Sequence, residues 1–171
     1  INFGIIYGMG VNALKATLGG TRAEAQEFYN SYFEKFPKVT EYFNKVKKDA
    51  EEMGYTETVF GRKRYFEGLH SPIPFIRAAA QRQATNAPLQ GTAADIIKIA
   101  MKKTDDAIIK EKIYKDTTLV LQIHDELVYE IKKSSVKKAT EILKKAMESA
   151  VEFPVPLIVH ISTGENLGEL K

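Results

Sequence analysis

Asp125 and Glu126 stand side by side in the string LQIHDELV (residues 121–128), between two apolar runs. That pattern predicts an antiparallel hairpin with an acidic tip, His124-Asp125-Glu126, between two buried strands. Carboxylates set beside an apolar core are costly unless a cation pairs with them. A hard cation such as Mg²⁺ takes one or two carboxylates together with substrate phosphates, which a strand tip can offer. The same three residues also read as an ordinary solvated turn, and so short a string does not choose between the two.

A second stretch, NFGIIYG (residues 2–8), sets Phe3 and Tyr7 four apart on one helix face with Gly4 and Gly8 as a bare strip beside them. A flat aromatic pair next to exposed backbone is a surface on which a base pair can stack. Aromatic knobs against glycine holes are equally common in plain helix packing. In a third stretch, residues 77–95, Arg82 and Asn86 are again four apart, and Gln90 follows after Pro88. Arg, Asn and Gln in a row can donate hydrogen bonds into a minor groove, where purine N3 and pyrimidine O2 accept at every base pair. The alternative is a solvated polar stripe.

The elements that must position these residues follow from caps and periodicity. Residues 1–18 predict one glycine-marked helix closed by Gly19-Gly20. Thr21 and Glu24 form a capping box for a second helix, which Phe28, Tyr32, Phe33 and Phe36 face and Pro37 ends. Residues 38–53 make a third helix, stopped by Gly54. Residues 55–60 and 64–66 flank Gly61 as a short hairpin, and 71–74 form a loop. Residues 76–87 and 92–111 predict two helical segments with a bent joint at Pro88. Strands at 117–123 and 127–131, a helix capped by Ser134 and running to 150, and a strand at 157–162 complete the chain. The expected class is α+β: a small antiparallel sheet backed by helices, joined to a mostly helical front part.

Composition bounds the answer without deciding it. The 171 residues are 44% hydrophobic, and Lys and Arg (25) exceed Asp and Glu (22) by 3, too little to predict nucleic-acid binding by charge alone. The absence of cysteine excludes disulfides and thiolate zinc sites and suits the cytoplasm, the expected location. No apolar run approaches the roughly 20 residues of a membrane span. The first residue is Ile1, in a stretch that reads as mid-helix, so a longer protein is expected.

Taken together and in order, the strings NFGIIYG, RQATNAPLQGTAAD and LQIHDELVYE, with VPLIVHISTGEN near the end, resemble the family A DNA polymerases of the bacterial DNA polymerase I type. The resemblance covers essentially the whole chain. It implies a fingers portion at 1–75 and a palm portion at 76–171, with the small sheet as the palm sheet. It implies template-directed nucleotidyl transfer with two Mg²⁺ ions, and primer-template DNA and dNTP as partners. Asp125 would be a catalytic metal ligand, with Glu126 close to that site and His124 near the primer terminus. Phe3 would lie against the sugar of the incoming nucleotide and Tyr7 near the templating position, while Arg82, Asn86 and Gln90 would contact the DNA. The family's second metal-binding aspartate and its triphosphate-binding Arg and Lys have no match here. The resemblance therefore implies an upstream polymerase segment, on the same or a separate chain, and inactivity without it. A non-catalytic DNA-binding or structural fragment is the alternative.

Overall fold

The computed structural model describes residues 1–170, with the side chain of Phe3 outside that description. The chain forms two compact units, residues 1–92 and 93–171.

The first unit begins with α1 (Asn2–Ile6) and α2 (Val11–Leu18). The single helix expected over 1–18 is therefore two. Gly8 adopts φ 85°, its N–H bonds to the Ile5 carbonyl at 3.0 Å, and the Met9 N–H reaches back to the Gly4 carbonyl at 2.8 Å. Paired bonds of this kind around a left-handed glycine terminate a helix. The usual apolar contact accompanies them, for the Met9 side chain folds over Gly4, where an added Cβ would come within 2.4 Å of its methyl group.

Helix α3 (Arg22–Lys35) starts with the expected capping box, the Glu24 N–H bonding to Thr21 Oγ1 at 3.2 Å and the Thr21 N–H to Glu24 Oε2 at 2.7 Å. The Thr21 N–H foremost, and the Thr21 hydroxyl donating to the same oxygen at 2.9 Å, hold the Glu24 carboxyl below its ordinary range. Pro37 does not merely end α3: it is the first residue of α4 (Pro37–Met53), where its missing N–H would have had no partner in any case. Phe33 of α3 meets Phe43 of α4 edge to face at 6.4 Å. The strands β1 (Tyr55–Glu57) and β2 (Lys63–Tyr65) pair antiparallel around Gly61.

Helix α5 (Pro74–Lys110) spans 37 residues and contains Pro88, so the two segments expected around that proline are one helix. Pro88 leaves the Ala84 carbonyl without its i+4 donor, a defect costing about 3 kcal/mol in an exposed helix. Tertiary contacts offset it. Ala80, Ala84 and Ala87 are buried against Ala50, Phe66 and Leu69. Just past the proline, the Val59 N–H bonds to Thr92 Oγ1 at 3.1 Å and Arg62 Nη2 to the Gly91 carbonyl at 2.9 Å, tying the turn of the β1–β2 hairpin to the helix.

The second unit contains the remainder of α5, the hairpin β3 (Thr117–Ile123) and β4 (Glu126–Ile131), and α6 (Val136–Glu148). Ile108, Ile113, Ala139 and Leu143 form its core, with Tyr129, Ile131 and Ile142 packed on it. Thr104, fully buried, accepts a 2.7 Å hydrogen bond from the Tyr129 hydroxyl and donates to the Met101 carbonyl, so its polar atom is satisfied. Burial raises the Tyr129 phenol above its usual range. Ser134 lies in a 3-10 turn, and α6 begins two residues later with Ser135 as its N-cap, whose hydroxyl bonds to Asp116 Oδ2 rather than to the helix. The strand expected over 157–162 pairs with no other among the described residues and takes no strand assignment. The fold class is as expected, mostly helical with two small antiparallel sheets. No helix among the described residues is long and apolar enough to cross a membrane.

The turn that closes α5 sets Lys112 at φ 56°, with its N–H on the Ile109 carbonyl and the Ile113 N–H on that of Ile108. A left-handed lysine costs about 1–2 kcal/mol, and glycine there gives back about 0.4–1 kcal/mol through the unfolded chain. Lys112→Gly is therefore expected to raise stability by about 0.5–1 kcal/mol in urea denaturation, and a loss would show that the turn is held by the lysine side chain.

Candidate functional site

Helix geometry decides which face of α5 is available for chemistry. With Ala80, Ala84 and Ala87 turned inward, 100° per residue turns Arg82 and Asn86 well away from them and sets Ala79, Gln83 and Gln90 on the flank between. The end of α1 lies against Arg82 and Asn86. Asn86 Nδ2 donates to the Tyr7 carbonyl at 3.0 Å, and the Arg82 stem covers Gly8, where an added Cβ would stand 3.3 Å from Arg82 Cδ. Gly4, Tyr7, Gly8, Arg82, Gln83 and Asn86 line one open groove of about 550 Å³. Two stretches separated by more than 70 residues thus form one surface, and Tyr7 is exposed on it.

Gln90, one turn further on, lines a separate recess of about 60 Å³ with Thr56, Thr58, Arg62, Arg64 and Gly91. Arg62 and Arg64 went unremarked in the sequence, although the run Arg62-Lys63-Arg64 beside the glycine turn was a legible basic signal. Gly91 is required at this spot, since a Cβ would come within 2.6 Å of Thr58 Cγ2. The Phe3 side chain, expected against a nucleotide sugar, lies outside the described residues.

His124, Asp125 and Glu126 lie at the tip of β3–β4 in the second unit. Ile123 pairs with Glu126, leaving His124 and Asp125 as a two-residue turn. His124 takes φ 52°, a conformation uncommon for a residue with a side chain, and its carbonyl accepts from Gln122 Nε2 at 2.5 Å. The expectation of buried strands around this turn is corrected. The pairing shifts between Leu119 and Leu121, and from Val120 to the tip the apolar residues of β3 stand open, Leu121 and Ile123 both 42% exposed. Only the base of the hairpin packs on the helices, so Asp125 and Glu126 are exposed and carry no burial penalty.

Two adjacent, exposed carboxylates, neither of them ion-paired among the described residues, suit a hard cation that completes its shell elsewhere. Among the described residues no group of three or more His, Cys, Asp or Glu could hold a metal ion by itself. The tip therefore fits a partial site.

A family profile described as DNA polymerase family A matches residues 1–169. The chain is 41% identical over 169 residues to DNA polymerase I of Pseudomonas aeruginosa, covering 99% of this chain and 18% of that protein. It is 42% identical over 171 residues to DNA polymerase I of Caldicellulosiruptor bescii, covering 100% and 20%. With the thermostable DNA polymerase I of Thermus aquaticus the identity is 40% over 166 residues, covering 97% and 20%. A solved structure, the POL domain of Pol1 from M. smegmatis in complex with DNA primer-template and dNTP, superposes with a TM-score of 0.83 at 38% identity. That match covers 91% of this chain and 27% of the other. The chain spans about a fifth of the length of the curated relatives it matches. On a profile spanning nearly every residue, the chain belongs to DNA polymerase family A.

Proposed function

We propose that this chain carries part of the active site of a template-directed DNA polymerase, which transfers a nucleotide from a dNTP to a primer terminus. The observation that carries the reading is the groove in which the turn after α1 meets the Arg82–Asn86 face of α5. Tyr7 offers an aromatic edge beside bare glycine backbone, a surface suited to the templating base pair. Arg82 in the groove and Gln90 further along α5 bring donors to acceptors common to every base pair, so they hold DNA without reading its sequence. Phe3 is assigned the incoming sugar, as the resemblance implies.

Asp125 is assigned as a metal ligand, with Glu126 beside it and His124 near the primer terminus. When bound, magnesium ions supply electrostatic stabilisation of the attacking and leaving oxygens of phosphoryl transfer. The work of this chain is to hold the Asp125 and Glu126 carboxylates for the metal, and the two-residue turn and Ile123–Glu126 pairing support that role by fixing the backbone that carries them. Because the tip offers one pair of carboxylates, the 171 residues by themselves are expected not to extend a primer. Extension by the purified chain, free of other polymerases, would overturn that expectation.

In the polymerase that carries this segment, Asp125→Asn is expected to abolish extension while leaving primer-template affinity nearly unchanged. The change removes the charge that draws the metal but keeps size and most hydrogen bonding. Extension at the parental rate would return the hairpin tip to a solvated turn. Arg82→Ala is expected to weaken primer-template binding by about ten-fold, roughly 1.4 kcal/mol, to a similar degree across sequences. Fluorescence anisotropy with several duplexes measures this, and a loss confined to one sequence would contradict a contact that ignores base identity.

A further inference from the structure

Asn86 uses its amide in a way that a residue serving only to touch DNA would not. Its Nδ2 donates to the backbone carbonyl of Tyr7, 79 positions away, and its Oδ1 is fully buried with no hydrogen-bond partner among the described residues. Reversing the amide would set oxygen against oxygen, so the Tyr7 carbonyl fixes the orientation.

The receiving end has its own need. A helix leaves its last carbonyls without intrahelical donors. At the end of α1 the Gly4 and Ile5 carbonyls are taken by Met9 and Gly8, and the Tyr7 carbonyl takes its donor from Asn86. A five-residue helix cannot persist on its own local bonds. It is held by the burial of Ile5, by the Arg82 stem over Gly8 and by the Asn86 bond. An unmet buried oxygen is a cost that an apolar side chain would avoid, so packing alone does not explain an asparagine here.

We infer that Asn86 is a positioning residue for nucleotide binding: from α5 it grips the Tyr7 carbonyl and so fixes where the Tyr7 ring and the glycine strip stand in the groove. The inference rests on the polymerase reading of that groove. It gives Asn86 an effect on the nucleotide that a direct DNA contact would lack, and it links a residue of the proposed DNA-binding helix to the proposed nucleotide surface.

The test uses the polymerase that carries this segment, with single-nucleotide incorporation giving KM and kcat and anisotropy giving primer-template Kd. Asn86→Asp keeps the shape, removes the donor and sets a carboxylate against the Tyr7 carbonyl. It is expected to raise the dNTP KM by roughly ten-fold or more with kcat much less affected, as when ground-state and transition-state binding are lost alike. Primer-template Kd is expected to stay within about two-fold, since the contact removed is internal. Asn86→Ala, which removes the donor without adding charge, is expected to move KM in the same direction, and it serves if the aspartate variant does not fold. A looser primer-template Kd with unchanged KM, or no change in either, overturns the inference. Tyr7→Ala separates the two readings. If it leaves the dNTP KM unchanged, the groove is not a nucleotide site; if it raises KM while both Asn86 variants leave it unaltered, only the positioning role of Asn86 falls.

Discussion

The buried alanine face of α5 is the constraint on which the rest of the first unit depends. Ala80, Ala84 and Ala87 have no side chain beyond Cβ, so Ala50, Phe66 and Leu69 pack directly against the helix. A larger residue at any of these positions would displace the helix by the width of its extra atoms, because interiors are packed to crystal density. Fixing that face also fixes the directions in which Arg82, Asn86 and Gln90 project. The same contacts let the helix tolerate Pro88. The hairpin turn around Gly61, bonded to Gly91 and Thr92, supports the helix where its own ladder is interrupted.

Elements that carry candidate chemistry end on backbone conformations that a longer, smoother element would not need. Gly8 at φ 85° stops α1 beside the groove, and His124 at φ 52° makes the tip of β3–β4 a turn of only two residues. Each brings a group to an edge: the Tyr7 ring and carbonyl in one case, the Asp125 and Glu126 carboxylates in the other. Left-handed conformations cost free energy, least for glycine and more for histidine. The hairpin base, where Tyr129 reaches Thr104 and Ile131 meets the α5–α6 core, provides the packing that holds the turn in place. Beyond the irregular register at Leu119–Leu121 the strands carry exposed apolar side chains and project an acidic tip.

Much of this was readable from residues alone because it is local. The Thr21–Glu24 capping box, the stop at Gly54 and the two hairpins are set by contacts within a few residues. The order of the long motifs fixed the family, since a run of several matched strings is far more specific than any one. The sequence also marked Tyr7, Arg82, Asn86 and Asp125 as side chains of the right types for stacking, donating and ligating.

Tertiary structure decided what those side chains can do. Whether Pro88 breaks a helix depends on contacts 30 residues away, and those kept α5 whole. Whether 157–162 becomes a strand depends on a second strand to complete a ladder with it, and among the described residues no strand pairs with it. Whether the glycines of 1–18 merely mark a helix or stop it was decided by Gly8 turning left-handed while Met9 folded over Gly4. The meeting of Tyr7 with Asn86 joins positions 79 apart, and no local periodicity encodes a bond between them. Sequence sets propensities within a turn or two of the chain. The pairing of distant polar atoms is settled only when burial forces each donor and acceptor to find a partner.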